Sequence, residues 1–211
     1  INNWGEYLAQ LVPNLNVDQD NDGLVDGTDE VQTYLTDPRT PDTDGDGLLD
    51  GYEVTTNGVD NLYVTDPVKA DTDGDGMTDG WEIEHGLDPL VPDGSEDPDG
   101  DGATNAEEEA AGTLPDDPDT DDDGIPDGWE IDRGLDPLVD DAGDDPDGDT
   151  LTNLEEYGHD TDPLKADSDG DGLTDPEEIG THGTDPNNPD TDGDNMPDGW
   201  ELDNGLDPLV A

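Results

Sequence analysis

The sequence predicts a mostly irregular chain with few short helices, built of tandem loop-plus-helical-turn repeats and preceded by a short N-terminal amphipathic helix. Three observations predict this. Leu, Ile and Val together number 36 of the 211 residues and Phe is absent, about 17%, below the roughly 20% under which a highly charged chain lacks a conventional core. Aspartates recur at one fixed spacing eight times along residues 18–211. Prolines stand just upstream of the loops, as in Asp37-Pro38, Asp66-Pro67, Asp162-Pro163 and Asp185-Pro186, where they forbid an incoming helix. Each unit is therefore a loop and an outgoing helical turn, not a helix-loop-helix pair.

Residues 1–17 stand apart. Ile1, Trp4, Leu8, Leu11 and Leu15 recur at steps of three and four, with Tyr7 and Val12 beside them, and Glu6 is the only charge. This is the pattern of an amphipathic helix to about Leu11, ended by Pro13. Two roles fit it: a cap over the first repeat, as terminal repeats of stacked arrays require, or a docking segment for another copy of the chain.

The loops follow in order. The stretch Asp71 to Glu82 shows the spacing best: carboxylates fall at positions 1, 3, 5, 9 and 12 (Asp71, Asp73, Asp75, Asp79, Glu82), with Gly76 at position 6 and Met77 at position 7. Side chains from alternate positions converge, position 7 offers its backbone carbonyl, the glycine permits the sharp turn, and a glutamate at position 12 closes a cage of oxygens. The first loop has Asp18, Asp20, Asp22, Leu24 and Asp26, with one extra residue before its closing Glu30. The second has Asp42, Asp44, Asp46, Leu48, Asp50 and Glu53. The fourth has Asp97, Asp99, Asp101 and Ala103, then Asn105 at position 9, then Glu108. The fifth has Asp119, Asp121, Asp123, Ile125, Asp127 and Glu130. The sixth has Asp145, Asp147 and Asp149, Thr150 in place of the glycine, then Leu151, Asn153 and Glu156. The seventh has Asp167, Asp169, Asp171, Leu173, Asp175 and Glu178. The eighth has Asp190, Asp192, Asp194, Met196, Asp198 and Glu201, with Asn195 at the turn.

An all-oxygen donor set of this kind suits a hard cation that takes six to eight ligands in irregular geometry, which is Ca²⁺. The chain has no Cys and three scattered His, so zinc and copper lack their ligands. The formal charge is −60, from 64 acidic and 4 basic residues. More than half of those acids fall on the five loop positions, which a scattered, solvated acidic surface would not produce. Eight Ca²⁺ would neutralise little more than a quarter of the charge. Further ions are therefore expected, with the aspartates of the Asp-Pro pairs (Asp37, Asp66, Asp88, Asp136, Asp162, Asp185, Asp207) as candidate extra ligands. Apolar burial of ~1.5–3 kcal/mol per large side chain cannot offset ~1–2 kcal/mol of backbone entropy per residue with so few apolar residues. Binding and folding are then one process.

The charge disfavours nucleic acid and anionic membranes, and no apolar run approaches the ~18 residues of a membrane span. Many such ions are available outside the cell, where modules work at dissociation constants of ~10⁻⁴ to 10⁻³ M, so an extracellular or cell-surface location is expected. A start at Ile1 fits removal of a leader. The aromatics at position 11, Tyr52, Trp81, Trp129 and Trp200, read either as a platform for a partner or carbohydrate or as a small local core between units.

A longer period overlies the loops. Asp71 to Asp119 and Asp119 to Asp167 are each 48 residues, a Trp-bearing loop followed by a second loop. The chain thus parses as 1–17 (apolar helix), 18–70 (repeats 1 and 2), 71–166 (two double repeats, loops 3 to 6) and 167–211 (repeats 7 and 8, the last unit incomplete).

The motif Asp-x-Asp-x-Asp-Gly-x-x-Asp-Gly-x-Glu followed by Thr-Asp-Pro, as in Asp42 to Glu53 and Thr65-Asp66-Pro67, resembles the thrombospondin type 3 repeat in its cysteine-free bacterial form. The resemblance covers about residues 18–211. It implies a chain wrapped around calcium ions in a secreted or surface-attached protein, with no disulfides to assist. An enzyme is not expected, because acids at ligand spacing are committed to metal and only two Ser and no Cys are present. Two non-enzymatic readings remain. One is a calcium-rigidified subunit of a surface filament, joining head to tail through residues 1–17 and the C-terminal half-unit. The other is a spacer or stalk array of a secreted adhesin or surface protein.

Overall fold

The computed structural model describes residues 18–25, 30, 33–55 and 63–211. The expected N-terminal helix and Asp26 lie outside these residues. The chain divides into two compact units, residues 1–98 with 104–110, and residues 99–103 with 111–211. In both, short helices alternate with irregular loops, and no strand occurs among the described residues.

The first unit carries α1 (Asp50–Glu53), α2 (Asp79–His85) and most of α3 (Asn105–Ala111). The second carries α4 (Asp127–Arg133), α5 (Asn153–His159), α6 (Asp175–Glu177) continuing into a wider π-helical turn at Glu178–His182, and α7 (Asp198–Asp203). The helices start at loop position 9, ahead of the closing glutamate rather than after it. The reason is local: position 8 (Leu49, Thr78, Pro126, Thr152, Thr174, Pro197) is extended, and the acids that follow fill a helical first turn, where negative charge is favourable. Starting there puts the position-12 glutamate in the first turn, fixed in direction by the helix. The left-handed Gly86, Gly134 and Gly183 end α2, α4 and the π turn.

The loops are held by their own carboxylates. Position 1 accepts from the backbone N–H groups of positions 4 and 6, as Asp42 does from Gly45 (2.6 Å) and Gly47 (3.1 Å) and Asp167 from Gly170 (2.7 Å) and Gly172 (3.1 Å). Position 5 accepts from position 7, for example Asp46 from Leu48 at 2.7 Å and Asp123 from Ile125 at 2.9 Å. These bonds force the turn through a left-handed residue at position 6, where Gly76 has φ 105°. Thr150 occupies the same position at φ 98°, a strained conformation for a β-branched residue.

Little apolar material is buried. Leu24, Met77, Ala103, Ile125 and Leu173, all position-7 residues, form the buried hydrophobic set among the described residues. Around them lie the closing glutamates, the threonines of Thr-Asp-Pro (Thr36, Thr65, Thr161, Thr184) and their prolines Pro67, Pro163 and Pro186, all buried but for a half-buried Pro38. The aromatics divide. Trp129 packs edge-on against Tyr157 (5.4 Å between ring centres) with Arg133 over its face. Trp81 lies on His85, and Trp200 is exposed.

Consecutive loops touch closely. In the first unit a Cβ on Gly51 would stand 2.3 Å from the Asp22 carbonyl oxygen, and one on Gly80 2.2 Å from that of Asp46. In the second, Gly199 faces the Asp171 carbonyl in the same way at 2.6 Å. Gly51, Gly80 and Gly199 at position 10 are therefore required by the neighbouring loop. Gly80→Ala improves helix propensity yet should lower the calcium-loaded melting free energy by about 1–3 kcal/mol, because backbone cannot yield as a side chain can; calorimetry in saturating calcium checks it. Thr150→Gly should raise it by about 1 kcal/mol by relieving the left-handed strain, read in the same experiment.

Candidate metal centres

Each loop gathers its own aspartates. In the first unit Asp18, Asp20 and Asp22 form one group, Asp42, Asp44 and Asp46 a second, and Asp71, Asp73 and Asp75 a third, each with carboxylate oxygens lying within 4.8 Å of one another. In the second unit Asp121 stands in the field of Asp119, Asp123 and Asp127. Asp169 stands in that of Asp167, Asp171 and Asp175, and Asp192 in that of Asp190, Asp194 and Asp198. Asp145, Asp147 and Asp149 neighbour one another likewise. The fourth loop is divided: Asp97, Asn105 and Glu108 belong to the first unit and Asp99, Asp101 and Ala103 to the second. Asn105 and Glu108 are buried.

A second kind of cluster lies where one loop meets the next. Asp22, Glu30 and Asp50 come together, as do Asp46, Glu53 and Asp79. The members are position 5 and the closing glutamate of one loop and position 9 of the following loop. In the second unit Asp175 is placed alike, acting on Asp147, Asp149 and Glu156 of the preceding loop. Glu30 reaches its cluster despite the extra residue before it. Position 9, expected in the cage of its own loop, is thus shared between two.

What fixes position 9 is a residue the sequence reading passed over. The position-2 hydroxyl residue of the same loop donates both its N–H and its O–H. Thr43 donates to Asp50 (2.7 Å for both), Thr72 to Asp79 (2.8 and 2.6 Å), Thr120 to Asp127 (2.9 and 2.6 Å), Ser168 to Asp175 (2.9 and 2.8 Å) and Thr191 to Asp198 (3.0 and 2.6 Å). Thr65 and Thr184 likewise donate to one oxygen of Glu53 and Glu178 at 3.0 Å. Their signal was a Thr or Ser at a constant offset. The Asp-Pro aspartates, expected as candidate extra ligands, each accept from the N–H two residues on, as Asp66 does from Val68 and Asp185 from Asn187, which caps the turn. The side chains of Leu24, Met77, Ala103, Ile125 and Leu173 point into the interior, while those of Leu48, Leu151 and Met196 are half-buried.

The loop sequences match a known family. The bacterial TSP3 repeat matches five stretches, residues 42–60, 71–92, 97–115, 119–139 and 167–189. The chain carries bacterial thrombospondin type 3 repeats. The loops outside the matched stretches are the first, sixth and eighth, which depart from the repeat at the closing spacing (Glu30) or at the turn glycine (Thr150, Asn195). Among solved structures, a biofilm associated protein B domain is 43% identical over 21% of this chain and 11% of its own length, with a TM-score of 0.21. No curated protein matches significantly. Among the described residues no helix is long and apolar enough to cross a membrane.

TSP3 repeats are calcium-binding repeats, and the residues here fit the ion. Both oxygens of Glu82, Glu130 and Glu156, and one oxygen of Asp121, Asp147, Asp169 and Asp192, are buried without a hydrogen-bond partner. A buried charge left so costs several kcal/mol unless a counter-charge meets it. The protein supplies few cations: Arg133 and Lys165 pair with Asp160 and Asp162, outside the loop positions. Bound calcium would neutralise these repeats and order each loop around its carboxylates; the chain's part is to aim oxygens, through the helix start and the position-2 hydroxyls.

Burial, reinforced by neighbouring carboxylates, pushes Glu53, Glu82, Glu130, Glu156 and Glu178 from the ordinary 4.5 up to about 8. A raised carboxyl contributes stability below its unfolded value and loses it as pH climbs through its folded one. Without metal, the compact form should therefore be favoured in acid and lost as pH rises from about 4.5 to about 8. A bound cation depresses the same groups, so calcium-loaded repeats should be stable above the unfolded carboxylate range and come apart as acid protonates them. Sedimentation velocity across this range, in chelator and in calcium, should show the two pH dependences with opposite sign.

Proposed function

We propose that this chain is a calcium-stapled structural segment of an extracellular or cell-surface protein, in which ions convert an acidic polymer into a stiff array of repeats. The observation that carries the reading is the burial of the closing glutamates, of which Glu82, Glu130 and Glu156 have neither oxygen hydrogen-bonded, in a chain of formal charge −60. The expected content is eight or more Ca²⁺, with position-7 carbonyls completing each loop. Nothing in this role requires catalysis. Chelation should expand the protein, seen as a fall in sedimentation coefficient and loss of helical circular dichroism, both restored by millimolar calcium. An unchanged compact particle in chelator would overturn the reading.

A filament subunit is the more specific form of the proposal. Its support is the nearly uncharged apolar pattern of residues 1–17 in so acidic a chain, together with exposed Leu206, Leu209 and Val210 on which another copy's segment can dock. Electron microscopy in calcium should show filaments that vanish when residues 1–11 are deleted, with calcium-dependent folding retained. Single particles from the intact chain would leave the spacer or stalk reading in place.

A further inference from the structure

The fourth and sixth loops carry Asn105 and Asn153 where most of the others have the position-9 aspartate that joins the preceding loop's cluster. We propose that Asp93 and Asp141 are metal ligands, each supplying to the preceding Trp-bearing loop the carboxylate that these asparagines lack. The inference rests on the calcium-binding reading above and adds to it two ligands outside the loop spacing.

The placement is specific. Between the third and fourth loops, the Gly94 N–H donates to the second oxygen of Asp75 at 2.6 Å, and a Cβ on Gly94 would stand 2.7 Å from the Asp75 carbonyl oxygen. That is the close approach Gly80 makes to Asp46 at a direct junction. Between the fifth and sixth loops, the N–H groups of Asp141 and Ala142 donate to the second oxygen of Asp123 at 3.1 and 2.8 Å. The inserted segment therefore takes the place that the next loop's position-9 turn takes elsewhere.

The asparagines anchor that segment. Asn105 Nδ2 donates to the Asp93 carbonyl at 3.1 Å and Asn153 Nδ2 to that of Asp141 at 3.0 Å. The Ala106 and Leu154 N–H groups donate to the Gly94 and Ala142 carbonyls at 3.0 and 3.1 Å. An aspartate at position 9 would set a carboxylate against that carbonyl, so the amide is obligatory and the negative charge stands on the anchored residue instead. Asp93 acts on Glu82 together with Asp75, and Asp141 acts on Glu130 together with Asp123.

An independent observation points to a cation at both places. Glu82 and Glu130 are fully buried, and neither oxygen of either has a hydrogen-bond partner. The Oδ1 atoms of Asn105 and Asn153, at 1% and 0% exposure, are also unpartnered, as is Oδ1 of Asp93. The unpartnered atoms at both places are oxygens, as a hard divalent cation requires; Asp141 Oδ1 accepts from Asn153 Nδ2 at 2.8 Å, which leaves its second oxygen for the ion.

The test is calcium binding by the full chain, comparing the double variant Asp93→Ala, Asp141→Ala with the charge-matched control Glu84→Ala, Asp132→Ala, which removes exposed acids of α2 and α4. The first should lose two ions from the measured stoichiometry, or bind two of them at least about tenfold more weakly, while the control keeps the parental count. Circular dichroism in saturating calcium confirms that both fold. Terbium luminescence sensitised by Trp81 and Trp129 gives a second readout, with lifetimes in H₂O and D₂O reporting additional bound water in the double variant only. Unchanged stoichiometry, affinity and hydration in that variant would overturn the inference while leaving calcium binding intact. A parent chain that takes up no calcium would remove the underlying reading as well, and is seen before any variant is made.

Discussion

Every element of this protein depends on one constraint, the burial of carboxylates that the polypeptide itself does not neutralise. In an ordinary domain the interior is apolar and polar groups are brought in with partners. Here fully buried side chains include Glu82, Glu130, Glu156 and Glu178, and the apolar contribution reduces to one side chain at position 7 of a loop. Above the range in which these carboxyls are protonated, a chain with this interior needs an external positive charge to collapse, so on the calcium reading proposed above ion binding and the appearance of structure are one event.

The hydrogen bonds divide the labour with that charge. Positions 1 and 5 spend their oxygens partly on backbone N–H groups, which shapes each loop before any ion is considered. Position 9 is clamped by the hydroxyl residue at position 2. The closing Glu82, Glu130 and Glu156 keep both oxygens out of hydrogen bonds and are aimed by the helix that begins at position 9. Rigid, self-bonded carboxylates thus frame the site, and uncommitted ones close it.

Coupling between repeats follows from the same geometry. Asp46 and Asp171 each bond their own loop and stand against the backbone of the next, and Asp79 and Asp175 reach back toward the preceding loop. An ion bound at such a junction would touch two repeats at once, and order in one repeat would then favour order in its neighbour, as in other arrays stabilised by nearest-neighbour interfaces. The direct Gly80 or Gly199 contact is the point at which a single methyl would propagate.

Much of this was legible in the sequence, because a metal loop is a local object. Side chains at positions 1, 3 and 5 converge through a turn that their own residues enforce, so spacing alone identified Asp42, Asp44 and Asp46 as one cluster, and the prolines and composition predicted short helices without a conventional core. What spacing could not reveal was which loop each position-9 residue serves, why position 10 is so often glycine, or that Thr65, Asp93 and Asp141 approach the closing glutamates. Those are contacts between segments 11 or more residues apart, set by how one loop packs on the next, and a one-dimensional pattern carries no record of that distance. The amino-acid sequence determined the ligand type and the loop; the tertiary structure decided how the loops share their oxygens.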